Sequence, residues 1–374
     1  MSSIPEICVL GADGVVGRRL CGELAGTRFA IATRRPVADK GAAIHAHLAD
    51  AFEASSLARA FAGARVVINA AGPLREAAAA VLVAALAAGA HYVDVGGEQA
   101  VLQALYERHE STVRRAGLVA LPGAGLDCAI GDLAAGWAAA HLCDAGDPGE
   151  AVRAEPAMRV AEDRALDEVC VSYVFDDLVL SAGSQRALFG TVGGRAAVWL
   201  RDRWEPGRAS DRRRINAGPA FGGERDAVTH AGGDVITIPR HVAANRVATY
   251  VSTTRRAASG ALLRLLATAL PLVPRAASEL LGVYTPPEDE LARTRFAIVA
   301  QARRGFSAAQ ITVRGADPYR TTAAITAWMA CELATRGAGP VGMRAPGELF
   351  RAEPALRAIA ARADLVIEPS FGTS

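Results

Sequence analysis

An apolar run, Ile7 to Leu10, leads directly into Gly11, Gly14 and Gly17, and this spacing leaves the chain few ways to fold. Apolar Val16, Leu20 and Leu24 then recur every four residues, as one face of a helix requires. The pattern reads as strand, tight glycine turn and helix. Such a turn aims backbone N–H groups and the positive end of the helix at an anion. Its glycines allow the turn itself, the approach of a pyrophosphate, and close packing of helix on strand. A glycine triplet alone is weak, but one behind a strand and opening a helix marks a dinucleotide fingerprint. Gly11, Ala12, Asp13, Gly14, Val15, Val16 and Gly17 are therefore the expected phosphate cradle.

The next apolar run, Phe29 to Thr33, ends in Arg34 and Arg35, with no carboxylate before Asp39. At this point of a dinucleotide unit an acidic residue binds the 2′-hydroxyl of NAD, whereas arginine accommodates the 2′-phosphate of NADP. Thr33, Arg34 and Arg35 thus predict NADP(H); a solvated loop is the plain alternative. Asp50 stands where the chain turns after the strand Ile44 to Leu48. A buried strand, Val66 to Asn69, runs into Ala70, Ala71, Gly72 and Pro73, small residues that let a nicotinamide ribose approach. Asp50 and Asn69 to Pro73 complete the expected cofactor contacts, with a simple strand-to-helix turn as the other reading of 69–73.

At 374 residues the chain exceeds one typical core and predicts at least two domains. Hydrophobic residues make up 51% and charged ones 21%, enough for a substantial core. A net charge of +2 gives no electrostatic case for nucleic acid or an acidic membrane. No signal peptide is evident, and the longest apolar runs are too short to span a bilayer or are interrupted, as by Arg264 and Pro271. Six cysteines form no C-x-x-C pair and the seven histidines no ligand-spaced pair. No metal and a reducing, cytoplasmic setting are expected.

Strand and helix patterns alternate to about residue 135, which predicts α/β architecture: a parallel sheet covered on both faces. Ser55 or Ser56, and later Asp132, are expected helix caps. From about residue 151 to 313 alternating patterns such as EVCVSYVF and RVATYVSTT predict a β-rich second domain. Between these patterns an Arg- and Gly-rich stretch over 201–224 reads as a solvated loop, or as a grip for an anion. The apolar stretch 260–281 suits a dimer face, a membrane surface or a tunnel for an acyl chain. Expected boundaries are 1–135, 136–316 and 317–374, the last packing back on the first domain.

Several segments together resemble the saccharopine dehydrogenase-like oxidoreductase family: GADGVVGRRL at 11–20, VVINAAGP at 66–73, AGAHYVDVGGE at 88–98 and PGAGLDCAIGDLAA at 122–135. TPPEDELARTRF at 285–296 and DPYRTTAAITAWMACELA at 317–334 extend the likeness, in the family's order, over nearly the whole chain. Within the family the chain is most similar to bacterial enzymes grouped with trans-acting enoyl reductases, which serve lipid and polyketide assembly. The resemblance implies a Rossmann-type domain with an inserted α+β mixed-sheet second domain, and NADPH as hydride donor.

In an open α/β sheet the ligand lies beyond the carboxyl ends of the strands. Tyr92, Asp94, Glu98 and Asp127 stand at or near such ends and are expected to face a cleft bordered by the inserted domain. Reduction needs a proton donor beside the hydride, and Tyr92 or a protonated Asp127 is the expected catalytic group, ahead of Cys128. Bracing the turns is their bland alternative. The expected activity is reduction of a C=N or conjugated C=C bond in a small molecule, free or acyl- or carrier-linked. A catalytically silent NADP(H)-binding regulator is the other reading, because nucleotide folds do not fix function.

Overall fold

The first third forms the strands β1 (Ile7–Leu10), β2 (Phe29–Thr33), β3 (His45–Leu48), β4 (Val66–Asn69), β5 (His91–Asp94) and β6 (Val119–Leu121), buried except for the edge strand β3. A two-residue strand near the other end of the chain, β15 (Gly342–Met343), completes the sheet. The order is β15-β6-β5-β4-β1-β2-β3, and every pairing is parallel. Helices α1 (Val15–Glu23), α2 (Ala54–Phe61), α3 (Leu74–Ala87) and α4 (Gln99–Arg115) make the crossovers. In β1, Ile7, Cys8, Val9 and Leu10 are at most 2% exposed, as a strand covered on both faces demands. Burying each such aliphatic side chain contributes about 1.5–3 kcal/mol.

The structure is a computed structural model that describes residues 6–37, 41–143, 165–190, 196–207, 211–253, 284–336 and 339–373. The chain divides into two units: Met1–Ala129 with Tyr319–Leu349, and Ile130–Pro318 with Phe350–Ser374. The first unit holds the parallel sheet together with α9 (Pro318–Thr335) and α10 (Pro346–Leu349).

A nine-stranded mixed sheet organises the second unit. Its strands are β7 (Glu168–Asp176), β8 (Ala197–Leu200), β9 (Arg203–Pro206), β10 (Arg212–Asn216), β11 (Glu224–Thr229), β12 (Arg246–Thr253), β13 (Arg295–Arg304), β14 (Ser307–Ala316) and β16 (Val366–Thr373). The main path runs β10-β11-β12-β7-β13-β14-β16, with β8 and β9 attached at β12. Only β7 and β12 pair in parallel; their neighbours run antiparallel. Period-two alternation sends Cys170, Val174, Ala248, Tyr250, Ala297 and Val299 to one buried cluster with Phe221. The helices of this unit include α5 (Gly131–Leu142), α6 (Ala182–Gly190), α7 (Asp234–Thr237), α8 (Glu288–Arg293) and α11 (Ala352–Ala363).

Four expectations need correction. The tail over 317–374 does not return whole to the first domain. Residues through Leu349 do, whereas the last strand, β16, pairs with β14 from Arg314↔Val366 to Ser307↔Thr373. The edge of β14 offered a long row of backbone groups that β16 satisfies. The arginine-rich 201–224 stretch is not one loop: 203–206 and 212–216 form β9 and β10, and β11 begins at Glu224. Three of its arginines are engaged in ion pairs, Arg203 with Glu205, Arg213 with Glu168 and Arg214 with Glu224. Ser55 and Ser56 lie inside α2, whose N-cap is Glu53. Asp132 caps nothing: a π-turn, Leu126–Ile130, precedes α5, and the buried Asp132 carboxylate lies 2.9 Å from His241 Nε2. The apolar stretch at 260–281 lies outside the described residues.

Candidate active site

Because the first sheet is parallel throughout, its strands end on one edge, and most of the residues singled out in the sequence gather there. Gly11 follows β1 with φ +82°, a conformation that favours glycine. A Cβ on Gly11 would stand 2.7 Å from the Ala71 amide nitrogen, so the glycine turn lies directly against the 69–73 loop. Gly17 closes the turn, since its Cβ would meet the Gly11 carbonyl oxygen at 2.1 Å. Gly14 differs from both. It is the exposed N-cap of α1 in extended conformation, and its Cβ would meet only the Gly11 carbonyl, at 3.3 Å. Two glycines are thus required by the fold, and the third leaves the helix N-terminus bare for a ligand. Asp13 is exposed and Ala12 buried, while Val15 and Val16 are half-buried at the start of α1. The Asp13 carbonyl accepts from the Arg18 guanidinium.

At the end of β2, the buried Thr33 donates its hydroxyl to the Arg35 carbonyl at 2.7 Å and fixes the turn. Arg34 and Arg35 are exposed, and neither pairs with a carboxylate among the described residues. The pair stands just past the end of β2, where the sequence predicts a 2′-phosphate contact. Asp50 is occupied by its own turn: Oδ1 accepts from Phe52 N–H at 2.9 Å, and its N–H donates to Ser56 Oγ at 3.0 Å.

At the ends of β4, β5 and β6 a chain of buried hydrogen bonds takes over. Asn69 Oδ1 accepts from Ala71 N–H at 3.1 Å, and Asn69 Nδ2 donates to the Tyr92 phenol oxygen at 3.2 Å. The phenol donates to Asp94 Oδ2 at 2.9 Å. Asp94 Oδ1 accepts from Gly96 N–H at 2.9 Å and from Gly123 N–H at 3.0 Å. Tyr92 is 0% exposed, so the expectation that it faces a cleft is corrected. Alternation along β5 does set Tyr92 and Asp94 on one face, but that face is interior. Burial, with Asp94 beside it, holds the phenol's pKa well above its ordinary value. Burial likewise raises the Asp94 carboxyl, opposed by the two glycine amides and the phenol.

Asp127 behaves differently. It presents exposed surface, yet protein encloses it closely enough on its other sides to raise its carboxyl pKa. The close side is Gly97: a Cβ there would meet Asp127 Cβ at 2.5 Å, so any larger residue would push the carboxyl aside. Glu98 follows, its carboxyl 3.7 Å from Arg75. Burial raises the pKa of Glu98, Arg75 lowers it, and Asp94 and Asp127 raise it further. The loop before Asp127 is held from behind by α9, where Thr322 Oγ1 accepts from Leu126 N–H at 3.3 Å and Thr326 Oγ1 donates to the Ala124 carbonyl at 2.8 Å. Both threonines lie in the 317–334 segment of the resemblance, but nothing in its pattern marks them as contacts of this loop. Cys128 is fully buried.

A parallel sheet with β1 inside it and a glycine turn at the N-terminus of α1 define a dinucleotide-binding domain of the Rossmann type. Residues 7–121 match the family model described as the saccharopine dehydrogenase NADP binding domain. The match makes residues 7–121 an NADP(H)-binding domain of the saccharopine dehydrogenase kind, which supports an oxidoreductase. Apo saccharopine dehydrogenase (L-Glu forming) from Saccharomyces cerevisiae shares the fold along the whole length. It has 14% identity and a TM-score of 0.62, with 98% of this chain and 99% of that one covered. A nucleoside-diphosphate-sugar epimerase from Pseudomonas aeruginosa overlaps 32% of this chain and 52% of its own (21% identity, TM-score 0.25). Uronate dehydrogenase from Agrobacterium tumefaciens overlaps 25% and 41% (18% identity, TM-score 0.22). No curated protein sequence matches the chain. No helix among the described residues is long and apolar enough to cross a membrane.

Proposed function

We propose that this protein is an NADPH-dependent reductase that delivers hydride to a C=N or conjugated C=C bond of a small metabolite, with Asp127 supplying the proton. The observation that carries this reading is Asp127, an exposed residue packed against Gly97 with its carboxyl pKa raised, at the strand-end edge where a cofactor domain presents its ligand. NADPH, when bound, supplies the hydride from its nicotinamide ring. The chain's own residues do the rest. Gly11 to Gly17 hold the pyrophosphate at the N-terminus of α1, and Thr33, Arg34 and Arg35 take the 2′-phosphate. Asn69 to Pro73 lie along the nicotinamide side. Asp127, protonated before the reaction, gives its proton to the carbanion, enolate or amide anion left by hydride addition and becomes a carboxylate. The exposed pair Arg34 and Arg35 favours the phosphorylated cofactor, whereas Arg203, Arg213 and Arg214 of the 201–224 stretch are engaged in ion pairs.

Replacing Arg34 and Arg35 together with alanine should weaken NADPH binding ~10–1000-fold, the loss of one to three charge-assisted hydrogen bonds. NADH affinity should scarcely change. Titration of both nucleotides checks this, and equal losses would remove the pair from the 2′-phosphate. The reaction itself is tested by following NADPH oxidation with two substrate sets, cyclic and acyclic imines and enoyl thioesters. Turnover with one set and not the other assigns the bond. NADPH binding without oxidation across both sets, in a folded protein, would overturn the reductase reading in favour of a silent regulator.

A further inference from the structure

Three loops of the first unit, far apart in sequence, are tied to one another by a single buried run of side chains. The 69–73 loop hangs on Asn69, which donates to Tyr92; Tyr92 donates to Asp94; Asp94 accepts from the amides of Gly96 and Gly123. Asn69, Tyr92 and Asp94 are 0%, 0% and 1% exposed, so water does not compete for any of these bonds. Every donor in the run points towards the same carboxylate, and in such a chain each bond polarises the next.

We propose that Asp94 is a positioning residue, and that the chain Asn69–Tyr92–Asp94 couples the cofactor-side loop at 69–73 to the loop that carries Asp127. The proposal rests on the reading of those two loops as cofactor contact and proton-donor support. A brace serving one turn needs one acceptor within that turn. Asp94 instead holds Gly96, in the loop packed against Asp127, and Gly123, in the loop leading to it, with the same oxygen. Its other oxygen reaches the cofactor-side loop only through the Tyr92 phenol. A ligand that settles the backbone at 70–73 is therefore felt at Asp127, and ordering around Asp127 is returned as affinity for the ligand.

The test is a double-mutant cycle read by NADPH titration in the full-length protein without substrate. Tyr92→Phe removes only the phenol oxygen, and Asn69→Ala removes the other end of its bond. Each alone should weaken NADPH binding ~3–10-fold, the loss of about one buried hydrogen bond. The double variant should be no weaker than the poorer single, because one broken chain cannot be broken again. Losses that multiply, in variants with wild-type near-ultraviolet circular dichroism, would overturn the coupling, as would an unchanged affinity in Tyr92→Phe. Should Asn69→Ala fail to fold, Tyr92→Phe and Asp94→Asn form the same cycle with the same criteria. The split of kinetic constants adds a readout that a mere brace would not move. Tyr92→Phe should lower kcat with little change in the organic substrate's KM. Affinity for NADPH is measured here with no substrate present. A protein inert towards every imine and enoyl thioester would therefore sink the reductase reading alone, and a multiplicative cycle would sink the coupling alone.

Discussion

Gly14→Val should give a folded protein that no longer binds NADPH, with affinity reduced beyond ~1000-fold. The backbone at Gly14 is extended (φ −75°, ψ 169°), which a β-branched residue adopts readily, and the nearest obstacle to a Cβ is a carbonyl oxygen at 3.3 Å. A shift of a few tenths of an ångström relieves that contact. The branched side chain then occupies the exposed N-terminus of α1, the ground the pyrophosphate needs for the amides of the first turn. Gly17 would not serve as this probe. Its Cβ would lie 2.1 Å from the Gly11 carbonyl oxygen, so any larger residue there breaks the turn before it touches a ligand. Isothermal titration with NADPH and a thermal melt, run on the same preparation, decide the matter. Wild-type affinity in a folded Gly14→Val protein would take the turn out of the site.

Asp127→Asn should lower kcat ~100–10,000-fold, the usual worth of a positioned general acid, with NADPH affinity nearly unchanged. The amide keeps the shape of the carboxyl and cannot surrender a proton. The pH dependence carries a second signature. Because the protonated form donates, wild-type kcat should fall as pH rises through the pKa of Asp127, which burial moves above the ordinary carboxylate value. That descending limb should be missing in the variant. The stability change has a definite sign as well. A carboxyl whose pKa is raised on folding contributes stability below its unfolded pKa and loses it as pH rises through the folded value. Above that value a neutral asparagine should leave the protein no less stable than wild type. A lowered melting temperature with full activity per folded molecule would instead make Asp127 a brace.

The cofactor half of the molecule was readable because its information is local. Three glycines behind an apolar strand set the strand, turn and helix of the sheet's first unit within a few residues. Tyr92 shows where such reading stops. Alternation puts Tyr92 and Asp94 on one face of β5, but whether that face meets solvent is decided by neighbours at Asn69 and Gly123. The arginines of β10 and β11 mislead for the same reason. Arg213 finds Glu168, and Arg225 finds Asp176 at 3.0 Å, partners that lie far off in sequence and meet them only once the sheet has formed. The final strand carries an ordinary apolar pattern with no mark of which sheet edge it joins, and β14 claims it by having an edge to fill.

The division of the chain has a consequence for synthesis. The polypeptide passes from one unit to the other after Ala129, again after Pro318, and a third time after Leu349. Neither unit is a continuous stretch of message. The first sheet cannot finish until Gly342 and Met343 have left the ribosome to pair with β6, long after β1 to β6 have emerged. The second sheet waits longer still, for β16. Vectorial folding, one domain completed before the next begins, is closed to this architecture. The nucleotide-binding unit must persist while most of the second unit is made, with its β6 edge unpaired, where chaperone attendance and prompt capture of a cofactor would matter most.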